Sequence, residues 1–173
     1  MEIQRLTRSD VGRLRELNAV FAEAFDDADS YLAAPPDEAY CERVLGKEHV
    51  IVLVAVKDGA VVGGLVAYEL DKLERARSEV YIYDLAVVAS HRREGIATRL
   101  IEALQAIARQ RGAWVVYVQA DYGDDPAIAL YEKLGAREDV MHFDLPVPPA
   151  FQDAHNPKQG FTAPPPSTGG STC

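Results

Sequence analysis

The chain has 173 residues, nearly half of them hydrophobic, and a formal net charge of −9. That length suits one domain with a sizeable core. No apolar run reaches the ~20 residues that span a bilayer, and the acidity disfavours nucleic acid and anionic membrane as partners.

The opening "MEIQRLTRSD" lacks the apolar stretch of a signal peptide, and two cysteines, Cys41 and Cys173, cannot build a disulfide framework. A reducing cytoplasm is the expected compartment. "EIQRL" alternates as a short strand. A helix is predicted from Ser9 or Asp10, with Val11, Leu14, Leu17, Phe21 and Phe25 near a 3.6-residue period. "AAPPDEAYCERVLG" gives a loop, then a short helix opened by proline and closed by Gly46. "HVIVLVAVKDGAVVGGLVAYEL" is two apolar runs joined at Asp58-Gly59, a hairpin signal.

A strand follows over Ser78 to Val88, and a long helix after Gly95 carries Ile96, Leu100, Leu104 and Ile107 as its buried stripe up to Gly112. "AWVVYVQA" is a strand too apolar for one wet face, which predicts a central position. Pro126 opens a helix through Leu134, ended by Gly135, and "REDVMHFDL" alternates as a last strand. From Pro146 the chain is rich in Pro, Gly, Ser and Thr. The domain is therefore expected over 1–145 and a tail over 146–173. Strands first, then alternating strand and helix, give an α/β (α+β) mixed sheet with helices on both faces.

Charge is unevenly placed. Seven acids lie between Glu23 and Glu42 with no Lys or Arg, and "ADYGDDP" carries Asp121, Asp124 and Asp125, whereas "SHRREGIATR" holds Arg92, Arg93 and Arg99 against Glu94. Solvated surface is the ordinary meaning of such runs. Yet strand, then "ASHRREGIATRL", then helix is a phosphate-binding arrangement. Small residues let the backbone approach, the first helical N–H groups lack internal acceptors, and the arginines add fork-shaped donors. It lacks the spacing of a P-loop.

Arg92-Arg93-Glu94-Gly95-Ile96-Ala97 resembles the Q/R-x-x-G-x-G/A signature of the GNAT superfamily of acyl-CoA-dependent N-acetyltransferases, and "ALYEKLGA" falls where that family carries a later helix. "RSEVYIYDLAV", "HRREGIAT", "VYVQADYGDDPAIALYEKLG" and "VMHFD" further resemble aminoglycoside 3-N-acetyltransferases of the gentamicin-resistance type. The first ~40 residues and the tail match less clearly. The resemblance implies a GNAT fold, a central mixed sheet of about six or seven strands with a V-shaped split, flanked by about four helices. It implies acetyl-CoA as co-substrate, held by Arg92, Arg93, Gly95, Ile96, Ala97 and Thr98 and along Leu85, Ala86 and Val87. Tyr131 would donate a hydrogen bond or proton to the leaving thiolate, its alternative being a core tyrosine. It implies a cationic aminoglycoside as acceptor, acetylated at its 3-amino group with resistance to the antibiotic as the result, the alternatives being a polyamine or protein amine as acceptor, or a non-catalytic acyl-CoA-binding sensor. GNAT domains often dimerise, and the last strand offers an edge for a homodimer.

The residues support a cationic acceptor independently. Asp84 lies within the aromatic strand "YIYDLAV", where an acid is out of place unless it has work to do. It is expected to take a proton from the attacking amine, the alternative being a buried acid paired with an Arg or with backbone N–H groups. Glu79 shares the Tyr81 and Tyr83 face unless a bulge intervenes, and meets substrate or solvent. Asp121 and Asp124 are expected to contact substrate and Asp125 to cap the following helix; Asp26 and Asp29 are further candidates. The histidines are scattered, no metal site is expected, and neither cysteine has an acyl-enzyme motif, so direct transfer in a ternary complex is predicted.

Overall fold

The computed structural model describes residues 1–143, Leu145 and Val147. Contacts divide the chain into one compact unit, Met1–Ala136, and a second, Arg137–Cys173. The first contains β1 (Glu2–Arg5), α1 (Val11–Ala24), α2 (Ala28–Leu32), α3 (Glu38–Leu45), β2 (Val50–Lys57), β3 (Ala60–Asp71), β4 (Ser78–Val87), α4 (Ile96–Gln110), β5 (Ala113–Val118) and α5 (Asp125–Leu134). The strands form one mixed sheet in chain order: β1 to β4 are antiparallel neighbours and β5 joins β4 in parallel.

The unbroken apolar run of β2 is explained by helices on both faces. Ile51, Leu53 and Ala55 pack with Leu100 and Leu104 of α4, while Val50, Val52 and Val54 pack with Leu17 and Phe21 of α1 and Leu45 of α3. Alternation therefore has no wet side to mark. Gly64 on β3 sits under α1. A Cβ there would come within 2.6 Å of Leu17 Cδ1, so its absence lets the helix close on the sheet.

Five strands and five helices stand among the described residues, against the six or seven strands and four helices expected. Helix α2 has no apolar period to announce it; Asp27 opens it by accepting from the Ser30 N–H at 3.0 Å. The α3 helix is opened by Asp37, accepting from Tyr40 N–H at 2.7 Å, rather than by proline. The strand expected over "REDVMHFDL" is not formed in residues 137–143. There Arg137 pairs with Asp139 at 2.8 Å, and Val140, Met141 and Phe143 are exposed. Alternation without a neighbouring strand or core does not hold a ladder. Asp144 and the tail, apart from Leu145 and Val147, lie outside the described residues.

Strand β5 also departs from expectation. It is the edge of the sheet among the described residues rather than its centre. Val116 and Val118 pack beside α4, whereas Trp114 and Tyr117 are exposed. Its apolar character reflects one core face and one aromatic face, not two core faces.

Candidate active site

Two irregularities in β4 create the site. The first is where its pairing ends. The β4–β5 ladder runs from Ser78–Ala113 to Ile82–Val118 and stops, while β4 continues along β3 to Val87. β5 itself ends at Val118, so beyond Ile82 this side of β4 parts from its neighbour and carries no strand. Backbone groups alternate in direction along a strand, and Val88 N–H donates to Val62 O of β3 at 3.0 Å. Leu85 and Val87 therefore turn their N–H and C=O groups toward the parted side. Arg92 Nε donates to Val87 O at 3.3 Å, leaving the Leu85 groups facing the gap.

The second is a β-bulge. Ala67 pairs with Ile82 and Val66 with Asp84, so Tyr83 is an extra residue on β4. Strict alternation would send Asp84 to the α4 side with Val80 and Ile82. The bulge sends it to the α1 side instead, where it lines a cavity with Phe21, Tyr31, Tyr40, Val66 and Tyr68. Asp84 is half-buried and accepts a hydrogen bond from Tyr31 Oη at 3.0 Å. Burial pushes its carboxyl above the ordinary aspartate range; the Tyr31 bond opposes part of that rise. Among the described residues its side-chain partner is a phenol and not the arginine of a structural ion pair. Tyr31 is held against the rings of Phe21 and Phe25, at 5.7 and 6.0 Å, and burial followed by the neighbouring Asp84 charge raises its own pKa. The sequence did not single out Tyr31, because only the fold brings it to Asp84.

Beyond β4 the chain makes a 3-10 turn, Ala89–His91, and then the loop into α4. Arg93 has φ 65° and Gly95, the N-cap of α4, has φ 77°. The left-handed turn at Gly95 costs a glycine little and a residue with a Cβ about 1–2 kcal/mol. Helical bonding begins with Arg99 N–H to Gly95 O, so the amides of Ile96, Ala97 and Thr98 are without helical acceptors. No acid lies in the first turn, and Ile96, fully buried, fixes the helix start to the core. The loop's one carboxylate is turned away from this opening: Glu94 lies 3.0 Å from Lys57 Nζ and 3.2 Å from His91 Nδ1, and Lys57 first, then His91, hold it below the usual glutamate range. Exposed Arg92 and Arg93 remain as cations beside the free amides. Residues and backbone here fit a diphosphate: free N–H donors, the positive end of a helix dipole, and neutralised negative charge. Lys57, at the end of β2, was also missed by the sequence.

Tyr131 lies on α5, partly buried against the core cluster under α4. Burial, reinforced by the Asp124 charge, pushes its phenol up to about 12. It stays protonated at neutral pH and can donate a hydrogen bond. A thiol near pKa ~8.5 is far more acidic than this phenol, so Tyr131 is suited to stabilise a thiolate by hydrogen bonding rather than to surrender its proton.

The remaining candidate acids lie outside this cavity. Asp124, not Asp125, is the N-cap of α5: its Oδ1 accepts from Ala127 N–H at 3.2 Å, since the helix starts at Asp125, one residue before Pro126. Asp121 forms the turn before it, its carbonyl accepting from Asp124 N–H at 3.2 Å. Glu79 does share the Tyr81 face, and there meets Lys72 at 3.2 Å and Trp114 Nε1 at 3.1 Å; the Trp114 bond, then Lys72, lower its pKa. Asp26, at φ 53°, follows α1, and Asp29 is exposed in the first turn of α2. None of these five lines the Asp84 cavity.

A sheet parted beside a helix whose first amides are free, with a half-buried carboxylate in reach of the gap, defines an acyl-transfer scaffold. The acetyltransferase (GNAT) family model matches residues 14–136, and the chain belongs to that family. It is similar to an aminoglycoside acetyltransferase from an uncultured soil metagenomic sample, with 50% identity, a TM-score of 0.84, and coverage of 85% of this chain and 98% of that one. A second aminoglycoside acetyltransferase of soil metagenomic origin, in complex with sisomicin, is 31% identical with a TM-score of 0.79, over 85% of this chain and 96% of that one. An N-alpha-acetyltransferase of Saccharolobus solfataricus is 33% identical over 96 residues, 49% of this chain and 55% of its own length. The chain thus spans about half the length of these curated relatives. No described helix is long and apolar enough to cross a membrane.

Proposed function

We propose that the protein transfers the acetyl group of acetyl-CoA to an amine of an aminoglycoside, the 3-amino group of a 2-deoxystreptamine antibiotic such as gentamicin, and so confers resistance. The observation that carries this reading is Asp84: a half-buried carboxylate partnered by a phenol rather than a cation among the described residues, aimed by a bulge to the side of the sheet where α1 and α2 border it. Likeness at 50% identity to an aminoglycoside acetyltransferase supports the acceptor class. In this reading Leu85, Ala86 and Val87 line the acyl arm, and Arg92, Arg93, Gly95, Ile96, Ala97 and Thr98 hold the diphosphate. Acetyl-CoA supplies an activated carbonyl. Asp84 receives the proton that the attacking amine must lose, in a ternary complex without an acyl-enzyme, and Tyr131 steadies the departing sulfur. Asp26, Asp29, Glu79, Asp121 and Asp124 supply the surrounding negative field that a polycation meets. The catalytic domain extends over 1–145, the working compartment is the cytoplasm, and a homodimer is the assembly.

Thiol-release kinetics with acetyl-CoA and gentamicin, kanamycin, sisomicin or spermidine, followed by NMR of the product, test this. Acetylation at the 3-amino nitrogen is expected; release with spermidine alone overturns the acceptor. A second reading, acetylation of a protein α-amine, is favoured by the likeness to the archaeal N-alpha-acetyltransferase, and predicts turnover of peptides with free N-termini and none of the antibiotics.

A further inference from the structure

The cavity beside Asp84 has a volume of about 230 Å³. Phe21, Val44, Leu45, Val52 and Val66 contribute apolar wall, and its exposed lining residues Tyr40 and Tyr83 mark the opening. Asp84 is the only charged residue among those that line it. The cavity opens to solvent past Tyr40 and Tyr83, and roughly 150 Å³ is volume enough to take up a benzene ring. A cavity of this size against a single carboxylate is therefore shaped for one positive charge joined to one apolar group. The further charges of a polycation would lie outside it, since the other candidate acids do not line it.

We propose that the protein also acetylates small primary amines carrying a single aromatic or branched-alkyl group, with that group seated in the cavity and the nitrogen at Asp84. This rests on the acetyl-transfer reading of the same site. Asp84 takes one proton from the alkylammonium. The nitrogen lone pair then forms the C–N bond to the acetyl carbon as the thioester C–S bond breaks, the nitrogen sheds a second proton as the amide forms, and the thiolate leaves and is protonated. One proton is released overall and no oxidant is consumed. Hydrophobic fit sets the preference, since exchanging apolar for polar surface in such a pocket changes kcat/KM by tenfold or more.

Thiol release by the full chain is measured with 2-phenylethylamine, isoamylamine, ethanolamine, a tetrapeptide beginning with leucine, and sisomicin. The two apolar amines are expected to exceed ethanolamine in kcat/KM by about tenfold or more. Val44→Trp, which fills the cavity from α3, should cut that ratio by a similar factor while acetyl-CoA affinity by calorimetry is retained. Should this variant fail to fold, 2-phenylethanol, which has the ring without the amine, must inhibit the wild-type reaction with isoamylamine competitively. Equal, background rates for phenylethylamine and ethanolamine beside turnover of sisomicin overturn the inference and leave acetyl transfer standing. Turnover of the peptide but of neither apolar amine also overturns it. Acetyl-CoA binding without thiol release from any acceptor overturns the transfer reading itself.

Discussion

Replacing Asp84 with asparagine tests the base most directly. The change is nearly isosteric, and the amide oxygen can still accept from Tyr31 Oη, which is 3.0 Å from Oδ1. The ability to take a proton is what is lost. A positioned base contributes ~10²–10⁴-fold, or about 3–5 kcal/mol of barrier, so kcat for sisomicin should fall by that factor while acetyl-CoA binding by calorimetry is unchanged. The pH profile adds a second readout. Burial raises the Asp84 pKa, so as pH falls the base is protonated earlier than an exposed aspartate would be. The acid limb of wild-type kcat/KM should therefore lie above the ordinary aspartate range and vanish in Asp84→Asn. Stability moves the other way. A carboxyl with a raised folded pKa stabilises the fold below its unfolded value and loses that contribution as pH climbs through the folded one. At neutral pH the ionised, desolvated carboxylate opposes folding, and the asparagine variant should melt at the same temperature or higher. An unchanged kcat, or an acid limb that survives the substitution, would refute the assignment.

Tyr31→Phe removes the bond that holds the Asp84 pKa down, so the acid limb of kcat/KM should shift to higher pH with the fold intact; an unmoved limb means the bond does not reach the reacting carboxylate. Tyr131→Phe should lower kcat by about 10²-fold, as loss of a donor to developing charge does, with acetyl-CoA affinity preserved in calorimetry. Gly95→Ala meets no atom within 4 Å but must hold φ 77°. It should fold, destabilised by about 1–2 kcal/mol in urea titration, and bind acetyl-CoA about tenfold more weakly through its displaced amides.

The hairpin at Asp58-Gly59 and the stripe of α4 were legible because each is written locally, in a turn dipeptide and in a 3.6-residue period. The loop into α4 was legible as a strand–helix junction for the same reason: the spacing of Arg92, Gly95 and Ala97 is its own geometry. What failed depended on neighbours. "AWVVYVQA" has the composition of a central strand, yet which strand lies beside it is set by residues far away, and β5 ends at the edge with Trp114 and Tyr117 exposed. Helix capping misled in a subtler way. The acids between Glu23 and Glu42 and in "YGDDP" were read as surface charge or, at Asp26, Asp29, Asp121 and Asp124, as substrate contacts, whereas Asp27, Asp37 and Asp124 each accept a backbone N–H at a helix start. Part of what a charge count assigns to substrate thus belongs to the fold.

Asp84 shows how a residue can stand out in a sequence and still not be placed by it. Its position inside an aromatic strand marked it as unusual, but period-two alternation pointed its side chain with Ile82, into the core under α4, where an unpaired carboxylate would be costly. One unpaired residue, Tyr83, reverses that direction for Asp84 while Leu85 and Val87 return to the α4 side. The same strand is left without its β5 neighbour from Tyr83 onward. The bulge aims the carboxylate and the parting frees the Leu85 backbone, both within three residues. An extended ligand lying along β4 can then have its reactive end beside Asp84 and its anionic end toward the amides of Ile96 to Thr98. Straightening the bulge would return Asp84 to the core and leave the anion loop untouched. On the proposed reading, binding of the diphosphate and transfer of the acyl group are therefore separable, written in different residues.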